Sequence, residues 1–181
     1  MSTHVSINPN TTVRVSLGDS GVERSTVSAV YDRVICHRSM VLVLAQAVKG
    51  IFPTVKLVEG GCDEDGFWYD FDFLTRPRAE AAKRIEWEID EILHADLPFT
   101  RHCYARKRAF NMMERFGETY KAQLAKDADG DSVTLYEVGD FWDLTDGPMV
   151  PSTACLSPCS LHLSKLQRDG KTLVRVYGQD R

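Results

Sequence analysis

Three short stretches hold residue types able to do chemistry. In GDFWDLTDGPMVPST, Gly139 to Thr153, Asp140, Asp143 and Asp146 recur at every third residue ahead of a Gly-Pro turn and a rigid Val-Pro exit. This is the make-up of a reactive-site loop, with carboxylates suited to acid–base work, yet it holds no strong nucleophile and no soft metal ligand. In CLSPCSLH, Cys155, Cys159 and His162 form a C-x3-C-x2-H group. Zinc sites of this type take four ligands, and no fourth lies nearby, so buried or incidental thiols are the simpler reading. In RHCYARKR, Arg101, Arg106, Lys107 and Arg108 cluster where a phosphate contact would sit; an exposed helix start explains the same residues.

The chain that must position these groups has 181 residues, 43% hydrophobic and 27% charged. That suits one globular domain with a short appendage. A net charge of −4 gives no basic footprint for nucleic acid. No apolar run approaches ~18 residues, and MSTHVSINPNTT lacks the apolar core of a secretory signal, so a cytoplasmic protein without a membrane partner is expected. Five cysteines are an odd number in a chain large enough to fold without staples, and reduced thiols follow.

Periodicity supplies the elements. Val13, Val15 and Leu17 alternate with polar residues, a half-buried strand turned by GDSG at 18–21. Ile35 to Lys49 is a long apolar helix stopped by Gly50 and Pro53. TVKLVEGGCDEDGFWYDFDF predicts a hairpin, with Phe67, Tyr69, Phe71 and Phe73 on one face. A helix carries Ala81, Ala82, Ile85, Ile89, Ile92 and Leu93 and ends at Pro98; FTRHCYAR is a strand, and RKRAFNMMERFG a short helix closed by Gly117. The tail supplies further strands in DSVTLYEVGDFWDLTDGPMV, CSLHLSKL and KTLVRVYG. The fold class is therefore α+β, a largely antiparallel sheet around one long buried helix. Residues 1–33 form a strand-containing extension and 34–181 the main domain.

In order and spacing, LAQAVKGIFP, EDGFWYDFD, GETYKAQL, GDFWDLTDGPMVPST and VRVYG resemble the editing domain of threonyl-tRNA synthetases, from about Val34 to Gly178. The resemblance implies that fold, in a free-standing version without catalytic or anticodon domains. In that family an H-S-x-x-H helix motif and a C-x-x-x-H loop motif hold zinc or polarise water beside a misacylated tRNA end. The matching positions here are Arg38 and Leu42 on the helix and Thr145 and Met149 in the loop, so the resemblance implies no metal and no cofactor. His37 is one residue out of register, about 100° around the helix. Asp143 and Lys121 match polar residues near the family's site, and Tyr69 lies on the hairpin that walls its cavity. The segment between LHLSKLQ and RDGK departs from the family by a deletion.

Three functions stay open on this reading. One is a metal-independent enzyme acting on a small, amino-acid-derived metabolite, with Arg38, Asp143 and His37 as the reactive groups and Leu42, Tyr69, Lys121, Thr145 and Met149 binding the ligand. The second is a non-catalytic module that holds an aminoacyl or small ligand, or a synthetase partner. The third is a metal-independent aminoacyl-tRNA deacylase, with tRNA as a partner that the overall acidity disfavours. On the first reading Arg38 points into the old cavity and Asp143 faces it from across the gap.

Overall fold

The long apolar helix starts where Asp32 accepts the amide hydrogen of Val34 at 2.8 Å, satisfying one of the orphan donors of a helix N-terminus. In the computed structural model this helix, α1, spans Arg33–Ile51, and the residues described are 3–8, 11–15, 31–78 and 80–181, the first two segments by backbone alone. Gly50 falls in the last turn, and Phe52 ahead of Pro53 is its C-cap. The helix is long and apolar enough by composition to cross a bilayer. Burial of Met40 to Ala45 and of Ala47 and Val48 within the protein gives it the character of a core helix, which is apolar all round.

The remaining elements, in chain order, are β1 (Thr3–Asn8), β2 (Thr11–Val15), β3 (Lys56–Cys62), β4 (Phe67–Asp72), α2 (Ala81–His94), β5 (Phe99–Ala105), α3 (Arg106–Arg115) and α4 (Thr119–Asp127). They are followed by β6 (Ser132–Val138), β7 (Phe141–Leu144), a single 3-10 turn (Thr153–Cys155), β8 (Cys159–Arg168) and β9 (Lys171–Asp180). Every strand pairing is antiparallel, but the strands divide among separate sheets: β1-β2, a four-stranded β3-β4-β9-β8 and a three-stranded β5-β6-β7. The expected α+β class and antiparallel pairing stand; the described strands are divided among three sheets, since alternation identifies strands but not their partners. The turn expected at 18–21, and Leu17 beside it, lie outside the described residues. The second helix ends at His94, ahead of the expected stop: Asp96 adopts φ 52°, and Pro98 bridges to Ser152.

The main core lies between α1, α2 and the four-stranded sheet, where Leu44, Phe67, Phe71, Ile85, Ile89 and Val176 meet. A second core joins α3 and α4 to one face of the three-stranded sheet through Ala109, Met113, Ala122 and Leu135. Leu42 connects the two by packing on Tyr136 and Val138 of β6. Glu118 ties the start of α4 to both neighbours: it pairs with Lys49 of α1 and accepts from the amide of Leu57 at 3.1 Å.

The loop after β7 is held just as firmly. Gly147 precedes a cis Pro148, and a Cβ on it would lie 2.0 Å from the Tyr136 hydroxyl, so a side chain has no room there. The buried Ser39 hydroxyl donates to the carbonyl of Ile35 at 2.9 Å and accepts from the amide of Val150 at 3.0 Å. Thr153 repeats the device, donating to the Ile92 carbonyl and accepting from Leu97, both at 2.9 Å. Buried polar groups need such partners, and here they fix the loop to α1 and α2.

Candidate functional site

Five structural units meet around a cavity of about 220 Å³. Helix α1 contributes Val41 and Leu42, strand β3 Glu59 and Gly60, strand β4 Tyr69, helix α4 Lys121 and Leu124, and the end of β7 with its loop Asp143, Leu144, Thr145 and Asp146. The cavity depends on Gly60. A Cβ built there would lie 2.4 Å from Val41 Cγ1 and 2.6 Å from Tyr69 Cδ2, so only glycine lets helix, strand and ring approach this closely.

On one wall, three side chains form a buried cluster. The Tyr69 hydroxyl donates to Asp143 Oδ2 at 2.5 Å, and Lys121 Nζ lies 3.0 Å from the same oxygen. Asp143 Oδ1 accepts from the amide of Leu144 at 2.7 Å. Lys121 Nζ also sits 5.1 Å from the centre of the Tyr69 ring, a cation–π arrangement. Side-chain exposures of 4% for Lys121 and 3% for Asp143 remove water from the pair. Burial, and then the Asp143 charge, hold the Tyr69 phenol well above its ordinary range. It is therefore a hydrogen-bond donor and not a base. Asp143 is engaged on both oxygens, which leaves the ammonium of Lys121 as the cluster's group with donor capacity to spare.

Apart from this pair, the cavity's ionised groups are Glu59 and Asp146, so carboxylates outnumber ammonium groups. Glu59 Oε2 accepts from Arg168 Nη1 at 2.7 Å outside the cavity. Val41, Leu42 and Leu124 supply the apolar part of the lining. The arrangement can hold a compact molecule that is cationic or polar at one side and hydrocarbon at the other.

The sequence-predicted residues divide. Leu42, Tyr69, Lys121, Asp143 and Thr145 line the cavity together. Met149 does not: its sulfur accepts from Ser39 Oγ at 3.6 Å, and its side chain packs with Leu42 and Tyr136. Arg38 shares a helix face with Leu42 but lies a turn earlier, where its charge offsets part of the rise that burial imposes on the Cys62 thiol, itself directed at the Val34 carbonyl. The expected opposition of Arg38 and Asp143 is replaced by the Lys121 pair, because a lysine on α4 reaches the carboxylate from closer range. His37 is buried away from the cavity, its Nδ1 2.7 Å from the Asp63 carbonyl and its Nε2 3.3 Å from Asp180 Oδ2. Glu59, Gly60 and Leu124 were not singled out by sequence; the Gly-Gly step inside a strand was their one visible signal.

Neither other candidate stretch assembles. Cys159 is buried, and its thiol is pushed up to about 12 by burial and by Glu86, whereas His162 lies on the opposite, exposed face of β8. Among the described residues no group of His, Cys, Asp or Glu is placed to hold a metal ion. The zinc implied by the family does not fit Arg38, Leu42, Thr145 and Met149, being met there by a guanidinium, hydrocarbon, a hydroxyl and an engaged thioether. Elemental analysis of the purified protein is expected to find no stoichiometric zinc; one tightly held metal per chain would overturn this. The basic run is turned to local partners, with Arg101 on Thr134 at 3.3 Å, Arg106 on the Ala128 carbonyl at 2.9 Å and Arg108 over the Tyr104 ring at 5.0 Å.

No protein-family model matches the chain. Individual relatives do. It is 37% identical over 150 residues to the threonine–tRNA ligase of Carboxydothermus hydrogenoformans, covering 80% of this chain and 24% of that protein. It is 36% identical over 168 residues to that of Desulforamulus reducens, covering 88% and 26%, and 39% identical over 144 residues to that of Gloeobacter violaceus, covering 75% and 23%. The chain thus spans about a quarter of the length of these relatives. With α1 packed on antiparallel sheets and the GDFWDL loop closing a cavity beside it, the chain belongs with the threonyl-tRNA synthetases, as a domain of their editing type.

Proposed function

We propose that the cavity binds a small amino-acid-derived ligand through its ammonium group and compact side chain, and holds it without a metal and without hydrolysing it. The observation that carries this is the make-up of the lining: Glu59 and Asp146 with a neutralised Lys121–Asp143 pair, together with the apolar Val41, Leu42 and Leu124. An ammonium meets carboxylates on one side, and a short side chain meets hydrocarbon on the other. Hydrolysis would need an activated water, and a carboxylate already accepting from Tyr69, Lys121 and Leu144 is poorly placed to take its proton. The relatives' name, threonine–tRNA ligase, agrees with a ligand of aminoacyl type.

A second reading, metal-free catalysis on the same ligand, is supported by the meeting of an ammonium, a carboxylate and a phenol at one oxygen, which can relay charge to a bound molecule. The two readings share the ligand and differ in turnover. Titration calorimetry with serinamide, threoninamide and valinamide is expected to show saturable binding by at least one. Gly60→Ala, which fills the cavity, should weaken it by about tenfold or more, ~1.4 kcal/mol. Failure of all three amides to bind, or binding indifferent to Gly60→Ala in a variant with the wild-type circular dichroism spectrum, would sink the proposal. Product formation from a bound amide or from misacylated tRNA would replace it with the catalytic reading.

A further inference from the structure

A second cavity of about 230 Å³ adjoins the first, and the two share Glu59 and Leu124. Its floor is apolar, made by Val58, Leu124 and Leu173, and its rim carries the donors Gln123, Arg168 and Lys171. Carboxylates outnumber cations in the first cavity, whereas the second balances Arg168 and Lys171 against Glu59 and Asp169. The boundary between them is the Glu59–Arg168 ion pair, whose side chains are 45% and 47% exposed.

That pair differs from its neighbours in how easily it can change partners. Lys171 is engaged by the Tyr120 hydroxyl at 2.9 Å and lies 3.8 Å from Asp72. Lys121 and Asp143 are buried against each other. Glu59 and Arg168 instead meet in water through long, flexible side chains, and such pairs contribute little to stability. Either partner can be given up if a ligand supplies an equivalent charge to each.

We propose that the Glu59–Arg168 pair recognises a free α-amino acid by exchange of partners. The ligand ammonium replaces Arg168 on Glu59, and the ligand carboxylate replaces Glu59 on Arg168. The opposite charges of an α-amino acid lie roughly 3 Å apart, about one hydrogen-bond length, so a single molecule can satisfy both residues at the boundary. The planar guanidinium presents two parallel donors to a carboxylate, a geometry that an ester or amide answers less well. The ligand side chain then lies on Val41, Leu42 and Leu124 in the first cavity. This rests on the ammonium-binding reading above and adds that the carboxylate is free and is read by Arg168.

The test compares serine, threonine, valine and leucine with their methyl esters by titration calorimetry on the wild-type chain, Glu59→Gln and Arg168→Gln. The wild type is expected to prefer at least one free acid over its ester by about tenfold or more. Arg168→Gln should reduce that preference to within about twofold while the ester binds at least as tightly as to the wild type, because Glu59 no longer has to give up Arg168, and Glu59→Gln should weaken acid and ester alike. Both exchanged residues are half-exposed, so these variants are expected to fold as the wild type does. Equal binding of acid and ester by the wild type, or a preference that persists in Arg168→Gln, would overturn the inference while leaving the ammonium reading in place. Absence of binding by every acid, ester and amide would overturn both.

Discussion

Lys121→Met is expected to lower the free energy of unfolding by about 3–5 kcal/mol, the range for removing one partner of a buried ion pair. The loss comes from what is left behind. Asp143, 3% exposed, would keep its bonds to the Tyr69 hydroxyl and the Leu144 amide but lose the ammonium that pairs with it. Urea denaturation should show a lower midpoint with an unchanged slope, the sign of altered stability rather than altered compactness. Adding Asp143→Asn to Lys121→Met should recover at least about 2 kcal/mol, because a neutral amide still accepts from Tyr69 and leaves no buried charge. A loss below about 1 kcal/mol in the single variant would mean that water reaches Asp143 and that the cluster is not closed.

The second large effect is expected at Arg175. Its Nε and Nη2 donate to the two oxygens of Asp70 at 2.7 and 2.9 Å, and its guanidinium stacks 3.8 Å from the centre of the Trp68 ring. Asp70 is fully buried, while the arginine is 34% exposed. Arg175→Met should cost about 2–4 kcal/mol, less than a wholly buried pair because solvent screens the arginine end. Arg175→Lys should restore only part of this, since an ammonium keeps the charge but not the paired donors or the ring stacking. Equal stability of the lysine variant and the wild type would show that charge alone matters at this position.

These two pairs explain what the sequence could and could not reveal. The hairpin of β3 and β4 was legible because Phe67, Tyr69 and Phe71 alternate with Trp68, Asp70 and Asp72 and face one core. The long helix was legible from its unbroken apolar run. The composition of the cavity was legible only in part. Leu42, Tyr69, Thr145 and Asp143 stand at positions where helix register or loop position places them together. Lys121 was singled out only by its match to the family's site, and its burial as an ion is set when α4 docks on the three-stranded sheet. Arg38 illustrates the opposite case: it shares α1 with Leu42, yet it is not among the residues lining the cavity, and its charge acts on the Cys62 thiol. Glu59 carries no local signal beyond the Gly-Gly step that follows it. Its importance arises from the meeting of two cavities, which depends on the packing of β3, β8 and α4 together.

The two nitrogens of His37 have a further consequence. One ring joins the first turns of α1 to the β3–β4 turn at Asp63 and to Asp180 at the end of β9, so the start and finish of the main domain lie side by side. A unit whose entry and exit are adjacent can be spliced into a longer chain at a surface loop with little added strain, because the host's loop ends need not be drawn apart. Only the modest entropy of closing a longer loop is incurred. The same adjacency makes this domain a suitable substrate for circular permutation: a short linker could join residue 181 to residue 31, with new termini opened at the exposed Asp169–Gly170 turn between β8 and β9.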